Sequence, residues 1–138
     1  MPALVEFKIL VVEDMPEDVI VYKRMLKGYS LAFCDSEKSI YEELNKDSYN
    51  LILMDIGLAG SKNGIEITRE LKNNANYYRI PIICITSHVF IEQKGIVLKA
   101  GADEYLTKPI KKDELLSVIE KYSTSGLQAK NGKWLSNY

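Results

Sequence analysis

The sequence predicts an α/β domain: a single doubly wound, five-stranded parallel sheet with a helix after each strand. Three observations predict it. Short strand-like runs recur five times, four of them apolar throughout, a segment with helical spacing of apolar residues follows each, and acidic, hydroxyl and ammonium side chains stand just past the ends of the runs.

The first run, Ile-Leu-Val-Val at 9–12, reads as a strand, and 17–27 as a helix with Val19, Tyr22 and Leu26 on one face and Gly28 as its stop. Leu-Ala-Phe-Cys at 31–34 is the second strand, and a helix over 37–45 presents Ile40 and Leu44. Leu-Ile-Leu-Met at 51–54 is the third strand, and the helix over 65–73 turns Ile67 and Leu71 inward. Ile-Ile-Cys-Ile at 82–85, bounded by Pro81, is the fourth, followed by a weaker helix over 90–99 that contains Gly95. Residues 104–107 form the fifth strand. A helix over 111–122 closes the domain, with Leu115, Ile119 and Tyr122 spaced for one face. Strands apolar on every residue are expected where both faces of a sheet are covered, and a helix after each strand argues for a parallel sheet with right-handed crossovers. The domain is therefore expected over 6–122. Residues 123–138 lose the apolar spacing and read as a flexible C-terminal tail that carries Trp134 and Leu135.

Composition removes several function classes. A chain of 138 residues suits one domain, and 46% apolar residues suffice for a core. A net charge of -1 with no basic stripe is unlike a nucleic-acid binder. No apolar run approaches the roughly 18 residues that cross a bilayer, and the first residues lack the blocks of a signal peptide. A cytoplasmic protein with no membrane or nucleic-acid partner is expected. Cys34 and Cys84 lie in apolar runs and are expected to be free thiols. His88 is the only histidine, so a multi-histidine metal site is excluded.

The chemistry sits where ligands bind open parallel sheets, beyond the carboxyl ends of the strands. Strand one is followed by Glu13 and Asp14, strand three by Asp55, strand four by Thr86 and Ser87, and strand five ends in Thr107 before Lys108 and Pro109. Two unit charges at ~4 Å repel by about 4 kcal/mol at an effective dielectric near 20, so clustered carboxylates must hold a proton or a cation. Oxygen ligands without histidine or thiolate suit Mg²⁺. Lys108 supplies a point charge for a phosphoryl oxygen, Thr86 a hydrogen-bond donor, and Asp55 a nucleophile.

Glu13-Asp14, Asp55, Thr86 and Lys108-Pro109, with the stretch Ala100-Gly-Ala-Asp-Glu-Tyr-Leu-Thr-Lys-Pro-Ile110, resemble the response-regulator receiver domain of two-component signalling, of the chemotaxis-regulator kind. The resemblance covers about residues 6 to 122. It implies a flavodoxin-like (βα)5 fold with strand order 2-1-3-4-5. It implies that Asp55 is the phosphoacceptor and that Glu13, Asp14, Asp55 and the Gly57 carbonyl hold Mg²⁺. Thr86 and Lys108 would contact the phosphoryl oxygens, and Tyr105 would follow Thr86 inward as a switch. The implied partners are a histidine kinase or histidine phosphotransfer protein and a downstream protein target. A cis Lys108–Pro109 bond is also implied.

The loop after Asp55 departs from the family pattern: Ala59 stands where proline is frequent, and Gly64 comes one residue late. His88 reads as an exposed loop residue, and the resemblance offers it a role in tuning the lifetime of the acyl phosphate. Two rivals remain. A haloacid-dehalogenase-like phosphatase would carry a second aspartate at position 57, which is glycine here. An inert receiver-like module would have lost an acidic-site residue, and none is lost.

Overall fold

The computed structural model describes residues 6–57, 63–87 and 94–130, with side chains to residue 123. The elements alternate as β1 (Lys8–Val12), α1 (Pro16–Met25), β2 (Ser30–Cys34), α2 (Glu37–Lys46), β3 (Leu51–Asp55), α3 (Gly64–Lys72), β4 (Ile82–Thr86), α4 (Lys94–Lys99), β5 (Glu104–Thr107) and α5 (Lys112–Lys130). All strand pairings are parallel, in the order β2-β1-β3-β4-β5. The expected fold class and strand order are both present.

Alternate residues of each central strand enter two separate cores. Leu10, Val12, Ile52, Met54 and Cys84 pack with Ile40 and Leu44 of α2, Ile67 and Leu71 of α3 and Val97 of α4. Ile9, Val11, Leu51, Leu53, Ile83 and Ile85 pack with Tyr22 and Leu26 on the other face, together with Leu115 and Ile119 of α5. Every residue of β3 and β4 is buried, which is why these strands carry no polar alternation. Cys34 and Cys84 are buried free thiols.

Local chemistry sets the helix starts. Ser36 caps α2 through a reciprocal bond with Ser39, and Asn63 caps α3 by accepting from the Ile65 and Glu66 amides at 2.9 and 3.0 Å. α1 begins on Pro16, with Glu17 and Asp18 in its first turn, where the helix dipole favours negative charge. It ends at Met25, two residues before the expected 27, and Gly28 follows at φ +97°. The first part of the expected 90–99 helix lies outside the described residues. α5 runs to Lys130, eight residues beyond the expected end at 122, because no proline interrupts 123–130 and backbone bonding propagates without an apolar face to mark it. Trp134 and Leu135 lie outside the described residues. Among those described, no helix is long and apolar enough to cross a membrane.

Candidate functional site at the carboxyl rim of the sheet

Strand register brings the polar residues together. Val12 pairs with Met54 and Asp55 with Ile85, so the residue after β1 and the last residue of β3 emerge side by side. Glu13, Asp14 and Asp55 each place a carboxylate oxygen within 4.8 Å of the others. Glu13 is only 2% exposed and Asp55 6%, whereas Asp14 is half-buried. The Gly57 amide donates to Asp55 Oδ1 at 3.0 Å, and the Met15 amide to Glu13 Oε2 at 3.2 Å. Residues 58–62 lie outside the described residues, as does His88.

Thr86 and Lys108 reach the same rim from the next two strands. Thr86 is buried, and its hydroxyl donates to the Ser87 carbonyl at 3.2 Å. The Lys108 amide donates to the Thr86 carbonyl at 2.7 Å, and the Lys108–Pro109 peptide is cis. Lys108 Nζ stands 3.5 Å from Glu13 Oε1 and 3.8 Å from Asp55 Oδ2. Its shortest ion pair is to a residue that strand-end reasoning missed: Asp18 Oδ2, at 3.1 Å. The available signal was helical position, since the first turn of a helix that follows a parallel strand stands over the same rim. Tyr105 of β5 is partly buried, with Lys94 Nζ of α4 5.1 Å from its ring centroid.

Crowding has an electrostatic consequence. Burial first, and the charge of Asp55 second, push the Glu13 carboxyl from 4.5 up to about 7, while Lys108 pulls the other way. Burial pulls the Lys108 ammonium down, but Asp18, Asp55 and Glu13 outweigh it, and its pKa is raised. Burial above all, then the charges of Glu13, Asp55 and Asp18, raise the Tyr22 phenol and keep it neutral beneath the site.

Without metal, folded Glu13 therefore retains a proton that the unfolded chain releases near 4.5. The stability linked to that proton is complete below about pH 4.5 and is lost as pH rises through about 7. Thermal unfolding in a chelator should show a decline of about 3 kcal/mol across this window, following from 1.36 kcal/mol per pKa unit. Glu13→Gln should flatten it, and an equal slope in that variant would contradict the assignment. The donor set also fits a hard divalent cation, because three clustered carboxylates with no thiolate or imidazole answer the chemistry of Mg²⁺. A proton and such a cation compete for Glu13, so Mg²⁺ affinity should weaken below about pH 7.

The fold and rim together define a class: a five-stranded parallel α/β domain that concentrates carboxylates around one lysine at the carboxyl edge. The chain matches the response regulator receiver domain over residues 9–120 and belongs to that family. It is 27% identical over 128 residues to the sensor protein GacS of Pseudomonas syringae pv. syringae, covering 90% of this chain and 14% of that protein. It is 31% identical over 115 residues to the transcriptional regulatory protein ZraR of Escherichia coli K12, covering 82% and 25%. The chain thus spans a quarter or less of these two relatives. Among solved structures, the receiver domain of the sensor histidine kinase PA1611 from Pseudomonas aeruginosa PAO1 superposes with a TM-score of 0.75 at 31% identity, over 86% of this chain and 98% of that one. That structure has a magnesium ion coordinated in its active-site cleft. The receiver domain of the response regulator TorR gives a TM-score of 0.77 at 28% identity, with 86% and 98% covered.

Proposed function

We propose that this receiver domain is a phosphoacceptor switch in which Asp55 takes a phosphoryl group from the phosphohistidine of a histidine kinase or histidine phosphotransfer protein. The observation that carries this reading is the placement of Asp55 at the end of the central strand, within 4.8 Å of two further carboxylates and 3.8 Å from the Lys108 ammonium. In the transfer, a carboxylate oxygen of Asp55 bonds to phosphorus as the phosphorus–nitrogen bond of the donor breaks, and the imidazole leaves with the electron pair. Glu13, Asp14, Asp55 and the Gly57 carbonyl would hold Mg²⁺, which supplies charge neutralisation for the phosphoryl oxygens when bound. Lys108 and Thr86 bind those oxygens. For Thr86 this means exchanging the Ser87 carbonyl for the new acceptor.

The added charge, up to about two units, biases the domain toward a second state. As Thr86 turns toward the phosphoryl group, Tyr105 moves inward and releases its packing against Lys94 of α4. The surface that changes is α4, β5 and α5, where Ile96 and Leu98 already stand exposed for a downstream protein. The only reactions catalysed are the domain's own phosphorylation and dephosphorylation, in the cytoplasm where such kinases deliver phosphate. Residues 6–122 carry the switch.

Incubating the chain with acetyl phosphate and Mg²⁺ tests this reading. A hydroxylamine-labile adduct, detected by intact mass and absent when Mg²⁺ is chelated, is expected. No adduct, with Mg²⁺ bound and the fold intact, would leave an interaction module that never takes phosphate.

A further inference from the structure

Lys108 has two places to go. Its three ion pairs are graded: 3.1 Å to Asp18, 3.5 Å to Glu13 and 3.8 Å to Asp55, so the ammonium leans toward α1 and away from the acceptor. The Asp18 side chain is 37% exposed, against 0% for Glu13 and 8% for Asp55. The lean is therefore toward solvent. The lysine stem is not locked there, because a cavity of about 210 Å³ lined by Asp18, Val21, Tyr22, Lys108, Pro109 and Ile110 lies alongside it. Asp18 itself is held: it occupies the third position of α1, where the positive end of the helix favours a carboxylate.

We infer that Asp18 is a positioning residue that parks Lys108 on α1, so that an anion arriving at Asp55 must draw the ammonium off Asp18 before Lys108 can bind it. This rests on the phosphoacceptor reading of Asp55. Two effects act in one direction. The Asp18 carboxylate competes with the incoming anion for the same ammonium, and its own charge repels that anion across the rim. Asp18 thus sets the threshold at which the site takes an anion, and it does so through Lys108 without touching the reacting atoms. Asparagine at this position keeps the size and removes the competing charge. Glutamate keeps the charge.

The test is beryllofluoride binding to the full chain at saturating Mg²⁺, read by titration calorimetry. The half-exposed pair sets the scale, and Asp18→Asn should bind about 3-fold more tightly than wild type. Asp18→Glu should stay near wild type. The ratio between Asp18→Asn and wild type should shrink toward one in about 1 M salt, where screening acts within about 3 Å. A merely structural role would not produce that salt dependence. Should Asp18→Asn fail to fold, Asp18→Ser carries the same measurement. Unchanged binding in the folded variant overturns the parking role, and weaker binding overturns it in favour of Asp18 as a guide that delivers Lys108 to the acceptor. Absence of beryllofluoride binding in wild type would instead overturn the phosphoacceptor reading, and this inference with it.

Discussion

Asp55→Asn is expected to abolish both acetyl-phosphate labelling and beryllofluoride binding while making the metal-free protein more stable. The loss should be complete, because an amide offers neither the nucleophilic oxygen nor the charge that the bound anion and metal need. The gain follows from crowding. Asp55 and Glu13 are buried carboxylates, and Asp55 is among the groups that push Glu13 up to about 7. Asparagine removes that charge and still offers an oxygen to the Gly57 amide. Part of the Glu13 shift comes from burial and remains, so the gain should be about 1 kcal/mol at pH 8, a fraction of the pairwise repulsion at this distance. It should vanish near pH 5, where folded Glu13 is protonated in either protein. Thermal unfolding in a chelator at both pH values measures this. Adding Mg²⁺ should then reverse the order, stabilising wild type and leaving the variant nearly unmoved. A variant equal to wild type in labelling would place the acceptor elsewhere. A variant less stable than wild type at pH 8 without metal would remove the crowding that the site's chemistry depends on.

Gly64→Ala should cost about 2–3 kcal/mol of stability and also weaken the metal site. A Cβ at Gly64 would lie 2.5 Å from the Asp55 carbonyl oxygen and 2.6 Å from Ile56 Cα. Both neighbours are backbone at the end of the central strand, and no flexible side chain can yield. The start of α3 must move off β3, a forced overpacking that sets the stated scale. The shift reaches the site because Asp55 and Gly57 belong to the same turn. Urea unfolding should therefore show a lower midpoint, and Mg²⁺ titration a weaker affinity. Gly95 of α4 is the internal control: a Cβ there meets nothing within 4 Å, and alanine should be tolerated. Equal stability of Gly64→Ala and wild type would show that α3 can slide freely on the sheet.

Contact also fixes a glycine at 64, the position that comes one residue later than in the resembling family: a Cβ there would strike the backbone of Asp55 and Ile56. The tie at the opposite edge is of the same kind. Lys72 Nζ reaches Asp103 Oδ2 at 2.8 Å and the Ile80 carbonyl at 2.9 Å, while Asp103 Oδ2 accepts the Ile82 amide at 2.9 Å, joining α3, β4 and the start of β5. Neither arrangement follows from residue spacing.

Strands and helices were legible because hydrophobic period is a local property. Ile52 to Met54 and Ile82 to Ile85 announce buried strands by composition alone, whereas the caps at Ser36 and Asn63 came to light only in the structure. Glu13, Asp14, Asp55, Thr86 and Lys108 were legible as a group because parallel strands all exit at one edge, so their polar ends must meet. Asp18 was not, since a helix over 17–27 offered it only as one more polar residue of a first turn. The extension of α5 to Lys130 was hidden for a related reason: apolar spacing reports packing, and a helix can continue without it.

By itself, then, the sequence determined the five βα units, the parallel sheet and the identity of the rim residues. Only the tertiary structure decided how that rim is charged: that Lys108 lies nearer Asp18 than Asp55, that Glu13 rises to about 7, and that Gly64 abuts the acceptor's own carbonyl. Those outcomes depend on distances between residues as far as 95 positions apart, and electrostatic and steric energies act through such distances rather than along the chain.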